Sequence, residues 1–187
     1  MNDTQKQRLL KTARDAVHAA INNQSPAIAE SDDAELNAHC GCFVTLKNGA
    51  QLRGCLGQFT SDVPVIQLIA QMARSSATSD PRFLSNPVTP DELQSLHIEI
   101  SVLSPLKKTQ NPLRLRLGTD GIYIKRGPAS GCFLPQVATE TGWDRQQFLS
   151  YCCQHKAGLA PDAWQDAKTD VYLFTAEVFG DDFRDIE

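Results

Sequence analysis

An Asn-Gly pair at positions 48 and 49 constrains the fold of this chain more than any other feature. Such a pair accepts the positive φ angles that a two-residue hairpin turn demands. It lies between two runs of strand character, residues 42–46 before it and residues 51–59 after it. The pair therefore predicts an antiparallel hairpin early in the chain. Residues 97–104 alternate in the same sense, with Ile98, Ile100 and Val102 on one face and His97, Glu99 and Ser101 on the other. That alternation is the mark of a half-buried antiparallel strand.

Helical patterns surround these strands. Residues 4–22 carry Leu9, Leu10, Ala13, Ala16, Val17, Ala20 and Ile21 at helical spacing, which makes one apolar stripe. Residues 62–78 read as a second helix, with Asp62 as N-cap, Pro64 in the first turn and Val65, Leu68, Ile69 and Met72 facing inward. Thr89, Pro90 and Glu92 form a capping box that starts a short helix. Residues 113–117 are a candidate strand, residues 122–126 and 132–134 read as a hairpin, and residues 171–179 as the last strand. Asp144 and Gln147 open a helix that runs to about Lys156 and stops at Gly158. This order lacks regular βαβ alternation. It predicts an α+β fold with an antiparallel or mixed β-sheet flanked by helices.

The 187 residues fit a single domain, or one with a small subdomain, with an N-terminal helix and loop over residues 1–40 and a core over residues 41–180. A hydrophobic content of 41% suffices for a proper core. The formal net charge of −4 argues against nucleic acid as a partner. No apolar run reaches the length of a membrane span and no signal-peptide core is visible, so the expected location is the cytoplasm, with no membrane partner. The six cysteines include no Cys-x-x-Cys pair and match no zinc template, so no metal site is expected. His39, Cys40 and Cys42 crowd together without a distant fourth ligand.

The chemistry concentrates in residues 51–59, Gln-Leu-Arg-Gly-Cys-Leu-Gly-Gln-Phe. On an uninterrupted strand Arg53, Cys55 and Phe59 share one face, while Leu52, Leu56 and Gln58 take the other. Arg53 and Cys55 then stand roughly 6–7 Å apart, close enough for the cation to favour the thiolate. Two readings of Cys55 stay open: a small buried residue, or a nucleophile whose flanking Gly54 and Gly57 admit a substrate. Arg53 either pairs with a carboxylate such as Glu99 or Asp80, or grips an anionic substrate with its planar fork. Asp80 and Arg82 flank Pro81, and a loop folded over the hairpin would bring both to the same cleft. Glu99 and Gln136 are further candidates, as base or paired carboxylate and as ligand donor respectively.

The chain resembles the AMMECR family, in its prokaryotic branch called AmmeMemoRadiSam system protein A. The resemblance rests on residues 43–46, the Leu-Arg-Gly-Cys-Leu-Gly run at 52–57, Ser-Asp-Pro-Arg-Phe at 79–83 and the strand 98–105. It continues through Gly-Thr-Asp-Gly at 118–121, Leu-Pro-Gln-Val-Ala at 134–138, Gly142-Trp143, residues 156–159 and Asp162 to Trp164. Cys42 and Cys132 stand where that family often has aliphatic residues. The resemblance implies an α+β fold and no settled activity or cofactor. It also implies a pathway shared with a Memo-like protein and a radical S-adenosylmethionine protein. Two functions follow as expectations: an enzyme or enzyme component that uses Cys55 and Arg53, or a non-catalytic adaptor that docks those partners through the hairpin.

Overall fold

The computed structural model describes residues 1–25 and 29–186. The elements of the first half are α1 (Asp3–Ile21), β1 (Cys42–Asn48), β2 (Gln51–Gln58), α2 (Val65–Thr78) and β3 (Leu96–Leu103). They are followed by β4 (Lys107–Lys108), β5 (Gly121–Arg126), β6 (Ala129–Phe133), α3 (Pro135–Thr141), α4 (Arg145–Tyr151), β7 (Asp170–Phe174) and β8 (Ala176–Asp182). The fold is α+β, as the sequence predicts. Its β-structure forms two four-stranded antiparallel sheets among the described residues, in the orders β2-β1-β3-β8 and β4-β7-β5-β6. The chain divides into two compact units, Met1–Val102 with Glu177–Glu187, and Leu103–Ala176.

In the first unit, α1 and α2 pack against each other and α2 against the hairpin. Leu9, Leu10, Ala13, Ala16 and Val17 of α1 meet Val65, Ile66, Leu68, Ile69 and Ala73 of α2 in a core that also holds Val44, Leu46, Ile98 and Ile100. Gly49 takes a φ of 57° at the hairpin turn, where only a residue tolerant of the left-handed region fits without strain. Asp62 does not cap α2, which starts at Val65 after Pro64. The orphan N–H groups of Val65 and Ile66 instead donate to the carbonyls of Ala38 and Leu36, partners that only tertiary folding supplies. The box at Thr89 and Glu92 forms as predicted, but it opens a 3-10 turn over Pro90–Ser95 rather than an α-helix.

The second unit has its own core, in which Ile122, Ile124, Phe133, Phe148, Leu149 and Trp164 meet. The predicted strand at 113–117 is absent. Pro112 starts a 3-10 turn, Leu115 turns inward, and its carbonyl accepts from Arg145 Nε. The predicted strand at 171–179 is interrupted at Thr175, and its halves enter different sheets as β7 and β8. The last helix changes to a π turn at Cys152–Lys156, before Gly158 stops it with a φ of 66°. No helix among the described residues is long and apolar enough to cross a membrane.

Candidate functional site

A β-bulge decides where the thiol points. Counting back from the turn, Asn48 pairs with Gln51 and Lys47 with Leu52, but Leu46 pairs with Gly54. Arg53 is the extra residue. Had the register continued unbroken, Cys55 would stand opposite Val44, whose side chain is fully buried. The slip sets it opposite Thr45 instead, on the face that points away from α2. Bulges at sheet edges re-aim side chains in this way. The predicted sharing of one face by Arg53 and Cys55 is therefore corrected: the alternation rule holds only while the ladder is regular.

Arg53 is 3% exposed. Its Nε and Nη2 form a two-pronged ion pair with Glu92 at 2.9 Å each, and Nη2 also donates to the Pro87 carbonyl. Arg53 first of all, together with the Thr89 N–H, holds the Glu92 carboxyl below its ordinary value. Neither expected carboxylate, Glu99 or Asp80, receives Arg53. Buried and paired through Nε and Nη2, with Nη1 left without a hydrogen-bond partner among the described residues, this guanidinium ties β2 to the turn at 90–95.

The cation beside Cys55 is Arg82. Asp80 is buried and accepts from the Cys55 N–H at 2.9 Å, from the Arg82 N–H at 3.1 Å, and from Arg82 Nε and Nη2 at 3.0 and 2.7 Å. Arg82 Nη2 donates in turn to the Cys55 carbonyl at 3.1 Å. The two residues thus close both backbone groups that Cys55 presents at the free edge of the sheet, a standard liability of an edge strand. Arg82 lowers the Asp80 carboxyl to about 2, against the opposing effect of burial. Arg82 itself is raised, chiefly by Asp80 and more weakly by the Cys55 side chain. Its side chain is 55% exposed, so it meets solvent while the orientation of its guanidinium is fixed.

Because the edge bonds of Cys55 point outward, Cys55 and Thr45 form a non-hydrogen-bonded pair, in which side chains approach most closely. Thr45 Oγ1 accordingly lies 3.2 Å from Cys55 Sγ and donates to it. Cys55 as a residue is partly exposed. Glu99 stands on the far side of Thr45 in the same row, roughly 10 Å from Cys55 by strand spacing, and is held by Lys47 at 3.0 Å. Its carboxylate is engaged by Lys47.

The glycines admit protein rather than ligand. A Cβ on Gly54 would lie 1.9 Å from the Ser76 carbonyl oxygen, and one on Gly57 would lie 2.3 Å from the Phe43 ring. Ser76 Oγ accepts from the Leu56 N–H and donates to the Val44 carbonyl, so the C-terminal end of α2 is joined to both strands of the hairpin. Gln136 belongs to the second unit, on α3, where its carbonyl accepts from Thr139. Burial raises the thiols of Cys42 and Cys152, and those of Cys40 and Cys153. No group of three or more histidine, cysteine or acidic side chains among the described residues could hold a metal ion.

Sequence reasoning missed Thr45, Ser76 and Glu92. Glu92 was visible as the capping residue of its turn, but its link to Arg53 spans 39 positions of sequence and has no local signal. Thr45 was hidden by the bulge, since a count from the turn assigns Val44 to Cys55.

The sequence model of the AMMECR1 family matches residues 10–179. "Protein NEQ441" of Nanoarchaeum equitans is 41% identical and the match covers 93% of this chain and 99% of that protein. A protein of Methanothermobacter thermautotrophicus is 45% identical over 76% of each chain. The crystal structure of the uncharacterized protein PH0010 from Pyrococcus horikoshii superposes with a TM-score of 0.86 at 36% identity, covering 97% of this chain and 93% of that one. With a family match over most of its length and relatives of this similarity, the chain belongs to the AMMECR1 family.

Proposed function

We propose that Cys55 is the reactive thiol of an enzyme, or of an enzyme component, that forms a covalent adduct with a small anionic electrophile. Arg82 takes the place first expected of Arg53: it holds the anion of the electrophile beside Cys55. The observation that carries this reading is the joint placing of a partly exposed cysteine, a hydroxyl donor on Thr45 and an oriented guanidinium, on a side chain open to solvent, anchored on the carbonyl of Cys55 itself. A thiolate acts as nucleophile without a separate base once hydrogen bonding and a nearby cation favour it. Asp80 is a positioning residue in this scheme, because it fixes the fork of Arg82 and touches no substrate.

The test compares alkylation of Cys55 by anionic iodoacetate and neutral iodoacetamide, followed by peptide mass spectrometry. Arg82→Gln should slow the iodoacetate reaction at least fivefold relative to the iodoacetamide reaction, with Arg82→Lys retaining part of the preference. An unchanged ratio of the two rates in Arg82→Gln refutes the role of the guanidinium. A Cys55 thiol no more reactive than glutathione refutes the enzyme reading itself.

The same reading places the protein in the AmmeMemoRadiSam branch, with a Memo-like protein and a radical S-adenosylmethionine protein as partners, supported by the sequence resemblance. The docking alternative is favoured by Leu84, 62% exposed and two residues from Arg82. Co-purification of those partners with wild type, Cys55→Ser and Leu84→Ser separates the two. An adaptor loses binding with Leu84→Ser, whereas an enzyme component loses function with Cys55→Ser while binding persists.

A further inference from the structure

We propose that a cleft in the second unit binds an organic phosphate monoester. The cleft encloses about 410 Å³ and is lined by residues of β4 and β7 and of the turn at 116–120. That volume lies within the ~300–1,000 Å³ of ordinary ligand pockets. Nothing in the Cys55 reading uses this cleft.

Three cations and one carboxylate line it: Lys107, Lys108, Arg116 and Asp120. The carboxylate is already consumed. Asp120 accepts from Arg116 Nε at 3.1 Å, from Nη2 at 2.8 Å and from the Arg116 N–H at 2.7 Å. The Asp120 N–H returns a bond to the Arg116 carbonyl at 2.8 Å, and Gly118 closes the turn with a φ of 76°. Arg116 is thereby oriented before any ligand arrives, which removes much of the ordering cost of binding. Its Nη1 takes part in none of these bonds, and the side chain is 67% exposed. Lys108 is neutralised by Asp170 at 2.6 Å. Lys107 is exposed and makes no ion pair among the described residues, so the cleft offers one uncommitted ammonium beside one fixed guanidinium.

The Nη1 end of a guanidinium fixed through Nε and Nη2, with a mobile ammonium lining the same cleft, suits a tetrahedral dianion. Thr109 lies in the same wall, its Oγ1 accepting from the Asn111 N–H at 3.1 Å. The rest of the wall is mixed: Leu173, in register with Lys107 across β4 and β7, and Phe174 form its apolar part beside Ser104 and Thr175. A bare inorganic ion would leave that surface wet. A phosphate carrying a compact apolar body fills both parts, which is why the proposed class is a monoester.

The test titrates the full-length ¹⁵N-labelled chain with inorganic phosphate and with phenyl phosphate, each at constant ionic strength set with chloride. Saturable amide shifts are expected at Lys107, Thr109 and Arg116, with phenyl phosphate binding at least threefold more tightly than inorganic phosphate. Lys107→Gln should weaken phenyl phosphate at least fivefold without altering the fold, since its side chain is exposed and unpaired. Shifts that scatter over the surface and rise linearly with concentration overturn the proposal. So does an affinity unchanged by Lys107→Gln, or a phenyl phosphate no tighter than the inorganic ion.

Discussion

Asp80→Asn isolates the clamp at the sheet edge. The side chain of Asp80 is 1% exposed and receives four hydrogen bonds, one from Cys55 and three from Arg82. Its carboxyl falls to about 2, chiefly through Arg82, from an ordinary aspartate value near 3.9. A carboxyl lowered by folding stabilises the native state above its unfolded value and loses that contribution as the pH falls through its folded value. Linkage then gives about 2.5 kcal/mol at pH 7, about 1.3 at pH 3 and about 0.4 at pH 2. These are upper bounds, because the exposed Arg82 is partly screened by solvent. Asparagine keeps the shape but not the charge. Urea unfolding of wild type and Asp80→Asn at pH 7, 4, 3 and 2 should show a stability gap of about 2 kcal/mol at neutral pH. That gap should shrink between pH 4 and pH 2. Taking the difference between the two proteins cancels the other titrating groups. A gap that stays constant from pH 7 to pH 2, or one below about 0.5 kcal/mol at pH 7, refutes the reasoning.

Three further outcomes are expected. Gly54→Ala forces the end of α2 away from β2, because the new Cβ would meet the Ser76 backbone at 1.9 Å; it should cost about 3 kcal/mol in chemical denaturation, from overpacking together with the loss of the Ser76 bridge. Glu92→Gln leaves the buried Arg53 without its anion and should cost about 3 kcal/mol, read as a lowered midpoint in urea. Gly131→Ala places a Cβ 2.4 Å from the Ala157 nitrogen, so hydrogen exchange should accelerate in β5, β6 and α4 of the second unit while the amides of α1 and α2 keep their protection.

Much of the fold was legible along the chain because its signals are local. The stripe of α1, the turn at Gly49 and the alternation of β3 depend on residues within a few positions of one another, and each formed where the pattern set it. Three elements departed from their patterns, each for its own reason. α2 starts at Val65 because carbonyls at 36 and 38 receive its first N–H groups. Residues 113–117 lost their strand to Pro112 and to the burial of Leu115. The run 171–179 was read as one strand, since nothing in its composition reveals that two different sheets divide it.

At the candidate site the sequence alone determined which residue types are present: a thiol and a guanidinium two positions apart, glycines on both sides, and a second acid-arginine pair nearby. Tertiary structure decided which of the two arginines stands beside Cys55. One unpaired residue in β2 turned Cys55 to the outer face and sent Arg53 inward to Glu92. The loop carrying Asp80 then delivered Arg82 to the edge left open. Side-chain direction in a strand follows from its register, and register belongs to the pair of strands rather than to either one.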